Sequence, residues 1–269
     1  MAKTGTAKKA LCVGINDYPG TGSDLGGCVN DAKDWKSVLE TRGFAATLLL
    51  DGEATRSRMV EELQGLVAGA PAESTLIFTY SGHGSWLPDD EGDEPDGRDE
   101  MLCPHDVAEG QYLMDDDLAL LFAEKTPGTR LFFISDSCHS GTVARLQPPL
   151  FPEAAATHPR PRFLPPATFL KSPKDQSRLR RIALLGRSSR QKYPALLAAG
   201  CRDVEYSYDA VFNGRPNGAF TRVALEVLKK GPRTPREWMT EIRKHLPTAT
   251  YLQTPSLFGS RTAKDAAIF

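Results

Sequence analysis

Leu131-Phe132-Phe133-Ile134-Ser135-Asp136-Ser137-Cys138-His139-Ser140-Gly141 opens as an apolar, β-favouring run and breaks into small polar residues around a single cysteine. It reads as a buried strand that delivers a thiol at its carboxyl end. Thr75-Leu76-Ile77-Phe78-Thr79-Tyr80-Ser81-Gly82-His83-Gly84 repeats the plan, with a histidine where the first has its cysteine, 55 residues upstream (138 − 83). Two such ends would pair a nucleophile with a base.

Outward from these strands the pattern alternates. Ala10 to Ile15 and Phe44 to Leu50 are further short apolar runs, and Ala195 to Ala199 and Ile182 to Leu185 resume the theme later. Between them, apolar residues recur at helical spacing: Ala32, Trp35, Val38 and Leu39 after a cap at Asn30 or Asp31, and Met59, Leu63, Leu66 and Val67 after Thr55. Asp115-Asp116-Asp117 opens a third helix, and Thr234-Pro235-Arg236-Glu237 combines a cap, a first-turn proline and a capping-box glutamate for the last one. Leu252 to Leu257 would be a final edge strand. Strands alternating with helices predict an α/β fold, a mainly parallel central sheet with helices on both faces. Sites in such sheets lie at the carboxyl ends of the strands, where His83 and Cys138 both fall.

The chain has 269 residues, 33 Lys plus Arg and 34 Asp plus Glu, for a formal charge of -1, so no overall basic excess points to nucleic acid or an anionic membrane. No apolar run approaches a membrane span and no signal peptide is evident, which gives the expectation of a cytoplasmic protein. Five cysteines without C-x-x-C spacing argue against a disulfide framework or a zinc site. From Arg145 to Pro173 eight prolines interrupt any regular element, and this basic stretch reads as a linker or exposed loop. The division expected is 1–144 as a part carrying both catalytic residues, 145–181 as a Pro/Arg-rich linker, and 182–269 as a smaller part completing the same domain.

A cysteine peptidase needs a thiolate, a base, and N–H donors where the oxyanion forms. Cys138 would attack, His83 would shuttle the proton, and the backbone N–H groups of Gly84 and Cys138 would form the oxyanion hole. His139 adjoins Cys138 but points to the other side of an extended chain. His105 and His245 read as surface or capping residues. Asp136 precedes Cys138 by two, and Ser81 precedes His83 by two, so each projects to the side of its neighbour. A buried carboxylate beside a thiolate calls for a cation, which an arginine or lysine of the substrate would supply; a structural aspartate bonded to loop backbone is the alternative.

These motifs, with Gly27-Cys28-Val29-Asn30-Asp31-Ala32 upstream and Gly218-Ala219-Phe220-Thr221 downstream, resemble the metacaspase or orthocaspase branch of the caspase-like proteases. The resemblance implies a caspase-hemoglobinase fold, a Cys-His dyad and cleavage after Arg or Lys, with the basic side chain held by Cys28, Asp31, Ser81 and Asp136. It also implies calcium as an optional ligand at Asp99, Asp115 and Asp116, although Arg145 stands where the family has a fourth acid. A solvated acidic loop is the other reading of these carboxylates. Self-cleavage in the basic linker is implied too, with Arg178, Arg180, Arg181, Arg187 and Arg190 as sites. Expected partners are protein substrates and an upstream activating protease, with no nucleic acid, no membrane and a monomeric state. The rivals are a non-proteolytic caspase-like scaffold and a separase-like or legumain-like protease.

Overall fold

The computed structural model describes residues 6–88, 98–138, 159–170, 194–202 and 205–269. Six strands form the central sheet: β1 (Lys8–Gly14), β2 (Ala45–Leu50), β3 (Thr75–Ser81), β7 (Arg130–Asp136), β9 (Leu196–Ala199) and β12 (Ser256–Phe258). Their order is β12-β9-β7-β3-β1-β2, and only the edge strand β12 runs antiparallel to its neighbour. Because β9 pairs with β7, the two halves of the chain complete one sheet.

Period-two alternation divides the strand side chains between two cores. Leu11 and Val13, Leu76 and Phe78, Leu131 and Phe133 face one side, where α2 (Arg56–Val67) and α3 (Asp115–Ala123) bring Met59, Leu63, Leu118 and Phe122. Ala10 and Cys12, Ile77, Phe132 and Ile134 face the other, against α1 (Cys28–Glu40), α4 (Ala219–Lys229) and α5 (Pro235–Ile242). There Trp238 packs edge-on to both Trp35 and Phe132, at 6.2 and 5.9 Å between ring centroids. Each such ring, fully buried, contributes on the order of 2–3 kcal/mol of hydrophobic stabilisation. Among the described residues, no helix is long and apolar enough to cross a membrane.

Two small antiparallel sheets stand at the carboxyl ends of the strands. One is β4 (Gly84–Pro88), β5 (Arg98–Leu102) and β6 (Leu113–Met114); the other is β8 (Arg160–Pro161), β10 (Tyr208–Phe212) and β11 (Arg215–Gly218). Their runs were too short and too polar to stand out in the sequence. A short last helix, α6 (Arg261–Asp265), ends the fold.

Several local expectations are revised. The helix expected to be capped by Asn30 or Asp31 starts earlier, at Cys28, and its N-terminal cap Gly27 supplies no side chain. The orphan N–H groups of Cys28 and Val29 donate instead to Asn16 Oδ1 at 2.8 and 3.2 Å, while those of Gly26 and Gly27 donate to the Asp209 carboxylate. Capping from 12 and 183 residues away frees Asp31 to point elsewhere. The reading of 145–173 as an exposed loop is corrected over its described part, 159–170: Arg162, Leu164 and Phe169 are buried. Proline excludes interior helix and central strand, but not burial of the side chains between the prolines. Ile182 to Leu185 lies outside the described residues.

Asn16→Ala should therefore lower unfolding stability by about 1 kcal/mol, the usual cost of a lost cap, in a urea titration. An unchanged midpoint would show that water replaces the bond.

Candidate active site

Register brings the site together. β3 and β7 are adjacent and parallel, with Ser81 opposite Asp136 at their ends. His83 and Cys138 each stand two residues beyond, so neighbouring strands deliver both residues to the same end of the sheet. Both are buried.

The imidazole is held from three directions. Its Nε2 lies 2.6 Å from the carbonyl oxygen of Ser23, and a carbonyl can only accept, so Nε2 carries the proton. Nδ1 is then the lone-pair nitrogen, buried and without a hydrogen-bond partner among the described residues. The Tyr18 ring packs on the imidazole at 4.7 Å, and its hydroxyl accepts the His83 backbone N–H at 2.7 Å. The Tyr80 hydroxyl donates to the His83 carbonyl at 2.7 Å. A Cβ on Gly82 would overlap both tyrosine hydroxyls, so glycine is required between the strand and the histidine. Burial pushes the His83 pKa down to about 4. The thiol of Cys138 accepts the Ser207 N–H at 2.5 Å and lies 3.4 Å from the Ser207 carbonyl. Cys201 is also close; its hydrogen bonding with Cys138, and then burial, raise its own pKa.

Beside this pair sits a cation that the sequence reading sought in a substrate: the chain's own Arg162, whose side chain is fully buried. Nη2 is 2.6 Å from Asp31 and 3.1 Å from Asp209, and Nη1 is 3.1 Å from Asp136. Each acid is held by further donors. Asp31 accepts from Asn217 Nδ2 and Gly218 N. Asp136 accepts from the Thr221 backbone and hydroxyl at 2.9 and 2.7 Å, and from Ser207 Oγ. Asp136 is thus bonded to the first turn of α4 and paired with a cation of the chain itself. Gly218 is needed where it stands, since a Cβ would overlap the Asp136 carboxylate and the guanidinium. Burial opposes the charge on Arg162, but Asp136, Cys28, Asp31 and Asp209 together raise its pKa. One cation among three carboxylates leaves an acidic excess, and burial, augmented by Asp136, pushes Asp31 up to about 7.

The backbone of Arg162 is equally engaged. Its carbonyl oxygen accepts from Gly84 N at 3.0 Å and Cys138 N at 3.1 Å, the two donors singled out from sequence. Its N–H donates to Ser207 O at 2.8 Å.

Of the sequence candidates, Asp31 and Asp136 grip the guanidinium directly. Buried Cys28 is close enough to act on its charge, and buried Ser81 stands beside Asp136 in the sheet. His105 is partly exposed with Nε2 3.4 Å from Asp17, and His245 is exposed beside Lys230. His139, Arg145, Arg178, Arg180, Arg181, Arg187 and Arg190 lie outside the described residues. Asp99 on β5 and Asp115 and Asp116 at the start of α3 share an edge, because Met101 pairs with Met114. Even so, no group of three or more His, Cys, Asp or Glu side chains that could hold a metal is found among the described residues. Arg162, Asp209, Asn217, Ser207 and Thr221 were missed. Thr221 lay inside a quoted motif, whereas Asp209 carried no local signal.

Because its Nε2–H is bonded and its Nδ1 is sealed from water, His83 should keep neutral imidazole shifts by NMR from pH 7 to pH 5. An ordinary histidine would titrate across that window, near pH 6.5; a midpoint there would show that the ring is solvated.

A family model described as metacaspase, peptidase C14 domain, matches residues 8–147. Metacaspase-1 of Scheffersomyces stipitis is 30% identical, over 93% of this chain and 70% of the relative. Metacaspase-1 of Mycosarcoma maydis is 30% identical, over 94% and 70%. Metacaspase-1 of Cryptococcus neoformans is 41% identical, but over 52% of this chain and only 33% of the relative, so the match spans a third of that protein's length. A crystal structure of a protein from Geobacter sulfurreducens superposes with a TM-score of 0.73 at 29% identity, covering 97% of this chain and 100% of that one. Caspase-1 of Spodoptera frugiperda gives 0.61 at 16% identity, covering 94% and 86%, which identifies the shared architecture as the caspase-hemoglobinase fold. Matched by the family model over half its residues and by relatives along nearly its whole length, the chain belongs to the metacaspase family of cysteine peptidases.

Proposed function

We propose that the chain is an endopeptidase cleaving after arginine or lysine, with Cys138 as nucleophile and His83 as base. The observation that carries this reading is Arg162. A guanidinium sits among Asp31, Asp136 and Asp209 while the carbonyl of the same residue accepts from Gly84 N and Cys138 N. A substrate arginine bound in its place would have its carbonyl carbon next to the thiol.

The chemistry follows from the groups present. Nδ1 of His83 accepts the thiol proton, and the thiolate attacks the scissile carbonyl. The oxyanion is stabilised by the N–H groups of Gly84 and Cys138, which already converge on one carbonyl oxygen, so little reorganisation is needed as charge develops. The Ser23 carbonyl holds the ring in the tautomer that leaves Nδ1 free, and stabilises the imidazolium once formed. His83 then protonates the leaving amine. Specificity follows from charge: a pocket with three buried carboxylates disfavours an acidic or neutral side chain by leaving its anions unpaired.

Cys138→Ala and His83→Ala should each reduce hydrolysis of an arginyl peptide to background, and Asp136→Asn should lower kcat/KM for it by more than tenfold without improving an aspartyl peptide. Retained turnover in the first two variants would remove the dyad; a preference for aspartyl substrates would remove the pocket assignment. Calcium at Asp99, Asp115 and Asp116 is tested by assaying with calcium and with a chelator. A response abolished by Asp99→Asn and Asp116→Asn together supports the site, and equal rates in both media retire it.

A further inference from the structure

We propose that the Arg162–Phe163 peptide bond is the chain's own cleavage site, cut intramolecularly by Cys138 while residues 160–164 lie in the groove as substrate. The inference rests on the peptidase reading above and assigns it a bond. That bond is distinct from the arginines between 178 and 190 to which the sequence first points.

The segment is gripped along its length in the manner of a bound peptide. On the amino side, Arg160 and Pro161 pair antiparallel with Asp209 and Tyr208, and Arg160 reaches the Asp24 carbonyl at 3.0 Å. At the centre, the Arg162 side chain fills the acidic pocket, its N–H donates to Ser207 O, and its carbonyl oxygen takes two N–H donors. On the carboxyl side, Phe163 forms a bridge to Gly84, and its ring stands 6.1 Å from Tyr206. Leu164 then donates its N–H to Gly84 O at 3.0 Å and accepts from Ser85 Oγ at 2.6 Å. These bonds fix the Arg162 carbonyl from both sides, and none among the described residues engages the amide of Phe163, the nitrogen that must gain a proton if the bond breaks. A segment that only plugged the pocket would need its guanidinium there. It would not need its carbonyl between the two donors suited to an oxyanion, nor the adjoining thiol held by Ser207 N–H.

The step balances with water alone. The Cys138 proton passes to His83 Nδ1, and sulfur bonds to the Arg162 carbonyl carbon. As the C–N bond breaks, His83 returns the proton to the Phe163 nitrogen, leaving a thioester and a free amine. Water gives one proton to His83 and its hydroxide to the thioester carbon; the C–S bond breaks and the thiolate recovers the proton. The products are a chain ending in the Arg162 carboxylate and one beginning at Phe163. Until the cut, Arg162 excludes other basic side chains from the pocket. Afterwards the segment before it is tethered from one end only, and the pocket can exchange it for an arginine or lysine of another protein.

The test is to incubate purified full-length protein at several concentrations, sequence new N-termini, and assay an arginyl peptide alongside. Wild type should yield a fragment beginning Phe163-Leu164 with a first-order rate independent of concentration, and Cys138→Ala should not. Phe163→Pro removes none of the hydrogen bonds above, leaves Arg162 in place and makes the bond a tertiary amide; it should lose that fragment while Arg162→Lys keeps it. Peptide hydrolysis by a chain that stays whole, is cut only elsewhere, or is cut at a rate rising with concentration would overturn the inference and spare the peptidase reading. If wild type and Arg162→Lys both fail to hydrolyse the peptide and Cys138 fails to react with an arginyl thiol-reactive inhibitor, the peptidase reading falls and this inference with it.

Discussion

A guanidinium without solvent, surrounded by Asp31, Asp136 and Asp209, is the interaction on which the site depends. Each carboxylate comes from a different part of the chain: the first turn of α1, the end of β7 and the strand β10. Burying any one alone would be strongly unfavourable, and a buried ion pair broken on one side costs about 3–5 kcal/mol. Arg162 therefore ties together elements far apart in sequence, and through its backbone it also bridges Gly84, Cys138 and Ser207. Charge pairing and backbone pairing meet on one residue. A strong guanidinium anchor thus sets the position of a peptide carbonyl against the backbone N–H groups of Gly84 and Cys138.

The surrounding polar network keeps that pocket rigid. Asp209 accepts the N–H groups of Gly26 and Gly27 ahead of α1 as well as pairing with Arg162, so the helix that carries Asp31 is anchored by another pocket acid. Asn217, Gly218 and Thr221 supply the remaining donors around Asp31 and Asp136 from β11 and the start of α4. Every pocket carboxylate thus keeps protein donors beyond the guanidinium, which hold the pocket in shape. The imidazole has the same character: Ser23, Tyr18 and Tyr80 fix its orientation while Nδ1 has no hydrogen-bond partner among the described residues. A cleft of about 420 Å³ near Thr75, Arg130 and Leu196 lies toward the opposite ends of β3 and β7 and shares none of these groups.

What was legible locally was what local periodicity encodes. The apolar runs ending in Ser81-Gly82-His83-Gly84 and Asp136-Ser137-Cys138 marked two parallel strands with chemistry at their ends, and period-two reasoning put Asp136 on the side of Cys138. The Thr55 and Thr234 caps were equally readable, since an N-cap is a contact three residues long. Asp209 was not readable, because its role consists of bonds to residues 47 and more than 180 positions away. Nor was the start of α1, whose cap is Asn16 across a loop.

By itself, then, the sequence determined the strand-helix alternation, the parallel sheet it demands, and the placing of His83 and Cys138 at strand ends. These follow from hydrophobic spacing and turn chemistry within a few residues. Only the tertiary structure decided that the cation owed to Asp136 is Arg162, in a proline-rich stretch that reads locally as exposed linker. The reason is physical: proline forbids regular secondary structure, so periodicity falls silent there. The energy holding the segment in place comes from carboxylates and backbone donors that converge only once the chain has folded.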